Sequence, residues 1–139
     1  MTVRHMSDVM RRRRPVTLDE SANVQLACKT MQNERVGAVL VTDPEGRLSG
    51  IFTGRDAVRL LAEGRNAAHT RLDAVMTRRP ETLPMHCTAL QALQLMHDGG
   101  FRHVPVVHDG NVVGVVSHGD FRALEHATFD EQSGLWERL

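Results

Sequence analysis

Hydrophobic residues follow two different periods along this chain, and both periods occur twice in the same order. Apolar side chains recur at the three- and four-residue spacing of a helix in residues 24–31 and again in residues 90–96. Each of these stretches is followed by a run rich in β-branched residues, GAVLVT at 37–42 and RHVPVV at 102–107. The pattern predicts a helix followed by a strand in each half of the chain.

A turn and a returning strand follow in each half, and both returning strands end in the same motif. GIFTGRD at residues 50–56 and GVVSHGD at 114–120 each consist of a glycine, two apolar residues, a hydroxyl residue and, three positions later, an aspartate. The change from alternating to helical spacing predicts a second helix that starts near Gly54 and near His118.

The two halves are copies of one another. RRPVTL at residues 13–18 returns as RRPETL at 78–83, an offset of 65, and the glycine-to-aspartate motif returns at an offset of 64. Short strands are predicted at residues 15–18 and 80–83, with proline at the first position, where a missing donor is tolerated. Each copy therefore has the order strand, helix, strand, strand, helix, and the fold is α/β (α+β) with two βαββα units.

The duplication has a physical reason. A unit of about 60 residues is marginal as an independent domain, so we expect the second copy to cover an exposed face of the first. We predict that residues 1–72 form the first repeat with an N-terminal arm and a linker at 65–71, that residues 73–127 form the second repeat, and that residues 128–139 form a C-terminal tail.

The composition is that of an ordinary globular protein, and its balanced charges give no strong overall electrostatic field. The 139 residues include 17 Lys and Arg and 17 Asp and Glu, so nothing draws the whole molecule to nucleic acid or to a membrane. We find no signal-peptide core and no membrane-span pattern, and we expect a cytoplasmic protein. The basic run Arg11 to Arg14 is interpreted first as a solvated charge run, second as a rim that neutralises phosphates, and least as a nucleic-acid arm.

Patterns that carry catalysis or metal binding are missing. The chain has no GxxxxGK[ST] or GxGxxG sequence, and the motif around Ser117 is one residue too long for a GxSxG nucleophile elbow. No CxxC or HExxH pair exists either, and we expect Cys28 and Cys87 to be reduced, helix-borne and buried. We therefore predict no catalytic residue, no catalytic cofactor and no metal ligand.

The duplicated hydroxyl and aspartate have two interpretations. Thr53 with Asp56, and Ser117 with Asp120, stand at a predicted helix start with the spacing of a capping box. The same position offers free N–H groups and a hydroxyl to phosphate, and a carboxylate that can accept two hydrogen bonds from a ribose diol. The motif is either a cap alone or part of a nucleotide site, and neighbouring glycines would let a ligand approach the backbone.

The tandem units and their motifs resemble a pair of CBS domains, the Bateman module, from about Ser7 to His126. The resemblance implies repeats packed about a pseudo-twofold axis, with clefts between them that hold an adenosyl ligand such as AMP, ADP, ATP, NAD or S-adenosylmethionine. It also implies a homodimer, for which the second helices offer Val58, Leu61, Phe121 and Leu124.

The resemblance also assigns the candidate ligand-binding residues. Asp56 and Asp120 would bind ribose hydroxyls, Thr53 and Ser117 would face phosphate or ribose, and Arg55, Arg102, His103 and His118 are candidates for phosphate contact. The full set is Val16, Thr17, Val36, Gly37, Ala38, Thr53, Gly54, Arg55 and Asp56 in the first repeat, and Glu81, Thr82, Phe101, Arg102, His103, Val104, Pro105, Ser117, His118, Gly119 and Asp120 in the second.

The two sites need not be alike. Leu40 stands in the first repeat where the second has Pro105, and Ala38 corresponds to His103.

The hypothesis that follows is a regulatory module that binds an adenosyl ligand and signals to another protein through its shape or assembly. The alternatives are a ligand-free dimerisation module, in which the motifs are caps only, and a nucleic-acid-associated regulator that uses the arginine arm.

Overall fold

The structure is a computed structural model that describes residues 14–100 and 102–121. Residues 14–81 form one compact unit, and a second unit begins at Thr82. The elements of the first unit are β1 (Thr17–Asp19), α1 (Val24–Glu34), β2 (Ala38–Thr42), β3 (Leu48–Thr53), α2 (Gly54–Ala62), a 3-10 turn (Ala67–His69), α3 (Leu72–Val75) and β4 (Thr77–Arg78). The described elements of the second are β5 (Leu83–Pro84), α4 (Ala89–Gly99), β6 (His103–His108) and β7 (Asn111–Ser117), followed by helical residues 118–121.

Both units have the same sheet topology. In the first, β1 pairs with β2 in parallel, β2 pairs with β3 in antiparallel fashion, and β4 adds to the free edge of β3. In the second, β5 pairs with β6 in parallel and β6 pairs with β7 in antiparallel fashion. A helix links each parallel pair because parallel strands need a long connection, whereas a short turn closes each antiparallel pair. The predicted mixed α/β fold and the duplicated order of elements are confirmed.

Local chemistry sets the limits of the first helix in each unit. The Asn23 side chain accepts a hydrogen bond from the backbone N–H of Leu26 at 2.8 Å and so begins α1. Thr88 and Gln91 form a capping box at the start of α4, which ends at Gly100 with φ of 71°. Glycine suits this position because it adopts a positive φ without strain.

Each unit has its own hydrophobic core. Most of the apolar positions at helical spacing in α1 are buried, as the sequence predicted. In α4 the buried residues are instead Ala89, Ala92 and Met96, and Leu90 is 73% exposed. Phe121 is only 4% exposed and belongs to the core of the second unit. Its predicted availability for a dimer contact is therefore wrong, because it packs within its own unit. Leu124 lies outside the described residues.

Several local expectations are also corrected. The first strands begin at Thr17 and Leu83, not at the prolines, because only these residues align with β2 and β6 in the parallel ladders. The predicted linker contains the 3-10 turn, and neither α3 nor β4 was predicted. Cys87 is buried but lies in the turn before α4, whereas Cys28 lies in α1 and is half-buried. Burial raises the pKa of both thiols.

The division of the chain into sequence repeats stays a prediction, and packing follows a different boundary. Leu72 and Val75 of α3 are buried in the core of the first unit, and β4 pairs with β3. Residues 72–78 therefore belong physically with the first unit, although their sequence begins the second copy. Within the described part of the chain, none of the helices has the length and apolar character that crossing a lipid bilayer requires.

Gly50, the first residue of the duplicated motif, is required by the close approach of residues 76–77. A Cβ at this position would lie 2.5 Å from Met76 Sδ and 2.8 Å from the backbone oxygen of Thr77. We predict that Gly50→Ala lowers the free energy of unfolding by about 1–3 kcal/mol, measured by urea denaturation, because the backbone oxygen must shift.

Gly54→Ala is the matched control, because a Cβ at that position would have no other atom within 4 Å. Its effect should stay within about 0.5 kcal/mol. Equal stability of the two variants would contradict the account of Gly50.

Candidate functional site

The topology of the first unit brings the candidate segments together at one end of its sheet. Because β1 and β2 are parallel, they begin at the same end, and because β3 is antiparallel to β2, it finishes there. The backbone N–H of Leu40 donates to the carbonyl of Val16 at 2.8 Å, and the N–H of Gly54 donates to the carbonyl of Gly37 at 3.1 Å. The start of α2 is thus tied to the start of β2, with the start of β1 alongside.

The second unit repeats this arrangement. The N–H of His118 donates to the carbonyl of Arg102 at 2.9 Å, the counterpart of the bond between Gly54 and Gly37. His103 lies opposite Ser117 in the ladder, and Thr82 directly precedes β5. The start of the helix is thus tied to the start of the middle strand in both units, whereas the second-repeat candidate Glu81 falls in the first unit.

The candidates differ in what they can present to a ligand. Buried members present little side-chain surface, and the apolar ones among them can contribute only main-chain groups or the shape of the site. The buried members are Ala38, Asp56, Val104 and Pro105. The half-buried members are Val16, Val36, Thr53, His103, Ser117 and Asp120. The exposed members are Thr17, Gly37, Gly54, Arg55, Glu81, Thr82, Arg102, His118 and Gly119. Phe101 lies outside the described residues.

The motif of the first repeat forms a complete capping box. Asp56 Oδ2 accepts from the backbone N–H of Thr53 at 2.9 Å and from the Thr53 hydroxyl at 3.1 Å. The Thr53 hydroxyl oxygen in turn accepts from the backbone N–H of Asp56 at 3.3 Å. The capping interpretation is therefore confirmed for α2, and the carboxylate also suits the positive end of the helix dipole.

Arg59 adds a contact to this motif that sequence reasoning missed. Its Nη2 atom lies 3.6 Å from Asp56 Oδ1 and donates to the carbonyl oxygen of Val75 at 3.0 Å. Asp56 is left 8% exposed. The available signal was the spacing of one helical turn between Asp56 and Arg59, at which side chains of opposite charge meet on a helix surface.

The motif of the second repeat has the same reciprocal backbone contacts. Asp120 Oδ2 accepts from the N–H of Ser117 at 2.8 Å, and the Ser117 hydroxyl oxygen accepts from the N–H of Asp120 at 3.3 Å. Asp120 is half-buried, unlike its counterpart Asp56. The two aspartates therefore occupy equivalent positions with different exposure.

The electrostatic surroundings of His103 distinguish the second site further. Burial lowers the pKa of His103; the negative charge of Asp120 opposes this shift, and the positive charge of Arg102 adds to it. The imidazole is therefore uncharged near pH 7, and it can offer a hydrogen bond but not a full positive charge. Arg102, the residue before it, is exposed.

A metal site and the arginine run are the remaining candidates that the sequence raised. Within the described ranges, no three His, Cys, Asp or Glu side chains are grouped so that they could hold a metal ion. Arg14 is exposed, and Arg11 to Arg13 lie outside the described residues.

Comparison with known proteins identifies relatives that share both repeats. Residues 6–63 and 72–126 each match the CBS domain family. The chain is 43% identical over 108 residues to the CBS domain-containing protein CBSCBSPB2 of Arabidopsis thaliana, which covers 77% of this chain and 20% of the relative. It is 33% identical over 120 residues to the CBS domain-containing protein YhcV of Bacillus subtilis, which covers 86% of this chain and 84% of the relative. The chain thus spans about a fifth of the plant relative but most of YhcV.

Solved structures agree with this result. A CBS-domain-containing protein of Agrobacterium tumefaciens is similar over 83% of this chain and 87% of its own, with a TM-score of 0.77 and 32% identity. A CBS domain protein of Pyrobaculum aerophilum complexed with AMP is similar over 89% and 98%, with a TM-score of 0.78 and 26% identity. The CBS domain pair of protein MJ0100, in complex with 5′-methylthioadenosine and S-adenosyl-L-methionine, is similar over 86% and 98%, with a TM-score of 0.78 and 25% identity. With two matched repeats, the duplicated topology and these relatives, the chain belongs to the CBS domain family.

Proposed function

We propose that this protein is a regulatory module that binds an adenosyl ligand and does not transform it. The observation that carries the proposal is the placement of a hydroxyl and an aspartate, in both units, at the sheet end where the starts of two strands meet the start of a helix. Two similar structures contain AMP, or 5′-methylthioadenosine with S-adenosyl-L-methionine, and these ligands share an adenosyl group.

Each part of the site suits one part of such a ligand. The aspartate is an acceptor for both hydroxyls of a ribose, and the N–H groups at the helix start favour an anionic substituent. Arg55 in the first repeat, and Arg102 in the second, are exposed cations beside these helix starts. Main-chain groups at the starts of β2 and β6 would contact the base.

The uncharged state of His103 refines its proposed role. A neutral imidazole contacts a ligand as a hydrogen-bonding group, and a phosphate placed beside it would draw it toward the charged form. The second-repeat site would then bind a phosphorylated ligand more tightly as the pH falls, because binding is coupled to uptake of a proton.

We also propose that the protein is a cytoplasmic homodimer that reports its ligand to an effector protein. The support for the dimer is the exposed apolar surface of α2, where Val58 is 65% and Leu61 is 75% exposed, one helical turn apart. Because Phe121 is buried in its own unit, it is not part of this proposed contact. A ligand that prefers one arrangement of the dimer would shift the population toward it, and a partner that senses the arrangement would respond.

A ligand-free dimerisation module is the second candidate. It is favoured by the reciprocal capping bonds of Thr53 with Asp56 and of Ser117 with Asp120, which already give both aspartates a structural role. Capping and ligand binding are compatible, since a carboxylate has more acceptor positions than one cap uses. A binding measurement therefore distinguishes the two candidates.

The first prediction of the proposal concerns ligand binding and Asp120. A thermal-shift panel of AMP, ADP, ATP, NAD and S-adenosylmethionine should contain a stabilising compound, because ligand at 100 times its Kd adds about 2.7 kcal/mol to the stability of the folded state. Asp120→Ala should weaken binding of that compound by about 1.5–3 kcal/mol in titration calorimetry, the scale of hydrogen bonds to a charged group.

Asp98→Ala is the matched control in the same unit. Asp98 is exposed, and its carboxylate accepts a hydrogen bond from the side chain of Gln94 at 3.0 Å. This substitution should leave affinity unchanged. If Asp120→Ala lowers the Tm without weakening binding, its role is capping, and a panel without any stabilising compound would favour the dimerisation module.

The second prediction concerns the charge of His103. Its pKa in the ligand-free protein, followed by NMR titration of the imidazole, should lie below the ordinary value of 6.5. The folded protein then binds fewer protons than the unfolded chain, so His103 contributes stability above pH 6.5 that is lost as the pH falls through the folded-state pKa.

Comparison of the wild type with His103→Gln isolates this contribution from the other histidines. The wild type should lose more stability than the variant between about pH 7.5 and pH 5.5, measured by urea denaturation. A pKa at or above the ordinary value, or equal losses in the two proteins, would show that burial does not control the imidazole.

The third prediction concerns assembly. Leu61→Glu should weaken the homodimer at least about tenfold, measured by sedimentation velocity over a dilution series, because a charge would replace a buried leucine at the proposed contact. Arg47→Gln is the control, since it changes the net charge by the same unit in the hairpin at the opposite end of β3 from α2. A monomeric wild type, or a Leu61→Glu dimer of unchanged affinity, would reject this contact.

A further inference from the structure

The last long strand of each unit has a different neighbour in the two sheets. In the first unit, β4 pairs with Gly50 and Ile51 of β3 and covers the edge of that strand. In the described part of the second unit, β7 pairs with β6 on one side, and no strand lies along its other side, the open edge. An open edge leaves a row of backbone N–H and C=O groups without strand partners, and native proteins commonly cover such edges.

The covered edge of β3 and the open edge of β7 are equivalent in structure. Gly50 lies opposite Val41, and Gly114 lies opposite Val106, and in both ladders the register shifts directly after this valine. Both glycines are buried. At Gly50 a Cβ would lie 2.5 Å from the Sδ atom of Met76, so the glycine makes room for that side chain. A glycine at the same point of β7 indicates that a bulky side chain approaches there as well.

The segment that covers β3 also supplies part of the core of the first unit. Leu72, Val75 and Met76 are buried in that core. Among the described residues, the core of the second unit receives no side chains from a segment of this kind. The second unit therefore has neither the edge strand nor the three apolar side chains that residues 72–78 supply to the first.

The N-terminal arm carries the sequence pattern of this covering segment. The three buried residues of the segment correspond, at an offset of 66, to Met6, Val9 and Met10. All three counterparts are apolar, and their spacing places them on one side of a helical turn. Residues 1–13 lie outside the first unit. The arm thus has the apolar residues that the open edge of β7 requires.

The arginines of the arm fit the strand that would follow. Arg78 belongs to β4, and its Nη2 atom donates to the backbone oxygen of Asp73 at 2.7 Å, so an arginine at this place has a structural contact. At an offset of 65, the counterpart of Arg78 is Arg13. One more residue separates Met10 from Arg13 than separates their counterparts, and a β-bulge in the arm accommodates an extra residue of this kind.

We propose that residues 6–13 cover the open edge of β7, with Met6, Val9 and Met10 in the core of the second unit and Met10 against Gly114. This inference does not rest on the proposed function. It assigns the arginine run to the edge of a sheet, where its backbone is not free to follow a nucleic acid. The second unit is then complete only with a segment that precedes the first repeat in the sequence.

The experiment is an NMR measurement on the full chain without ligand. Nuclear Overhauser effects should join the Met10 methyl group to the α protons of Gly114. The same effects between Met76 and Gly50 serve as the internal reference, since these two residues are in contact in the structure. A mixed sample of labelled and unlabelled chains separates contacts within one chain from contacts between chains.

Three results of this measurement would overturn the inference. The first is the absence of effects between Met10 and Gly114 when the reference effects are present. The second is that the effects occur only between different chains, because the arm of a second copy would then cover the edge. The third is a set of effects that joins the β7 strands of two chains.

A stability measurement tests the contact independently. Gly114→Ala should lower the Tm by at least about 3 °C, because the added methyl group meets Met10. In the Met10→Ala background the same substitution should lower the Tm by less than half as much, since the smaller side chain leaves room. Val3→Ala, which changes an apolar residue outside residues 6–13, is the control background and should leave the cost of Gly114→Ala unchanged. Equal costs in all three backgrounds would overturn the inference.

Discussion

In each unit the first strand pairs in parallel with the second, and the second pairs in antiparallel fashion with the third. This topology determines where the polar side chains of the duplicated motif lie. In each unit the starts of two strands, the end of a third and the start of a helix come to the same end of a small sheet. The other end of the antiparallel pair is occupied by a tight turn. The interior of each unit is filled by apolar side chains, and the hydroxyl and aspartate of each motif lie at the sheet end where a helix begins.

Capping is the local interaction that this arrangement depends on, and it does not compete with binding. A helix start leaves backbone N–H groups that need acceptors, and a hydroxyl with a carboxylate three residues later satisfies some of them at a typical gain of about 1 kcal/mol. The same bonds fix the rotamer of the aspartate before any ligand arrives. A carboxylate that is already oriented loses less conformational freedom on binding, so capping is compatible with the proposed contact to a ligand.

The features that could be predicted from the sequence are those that depend on periodicity and repetition. The order of elements, the antiparallel pairs and the helix starts at Thr53 and Ser117 follow from spacing that each copy shows independently. Strand β4 was not predicted, because two residues that pair with the edge of β3 carry no period of their own. Phe121 was placed at a surface, since one apolar residue on a short helix does not reveal whether it faces its own core or a partner.

What the sequence could predict about the candidate site is limited for the same reason. The motif residues were found because they occur twice, whereas Arg59 was missed because it occurs once. Likewise, the sequence identified His103 as a candidate for phosphate contact, but only the burial of its ring indicates that its pKa is lowered. Repetition therefore reveals what the two repeats share, and tertiary structure is needed to find what makes them different.

A difference between the repeats changes what a ligand can do to the protein. A ligand shifts a conformational equilibrium only by the difference in its affinity for the two states, and that difference is typically worth about 1–3 kcal/mol between coupled sites. Two identical sites would respond together as the ligand concentration rises. Asp56 is contacted by Arg59 and is buried, whereas Asp120 is half-buried, so a ligand that bound both proposed sites would meet different surroundings in each.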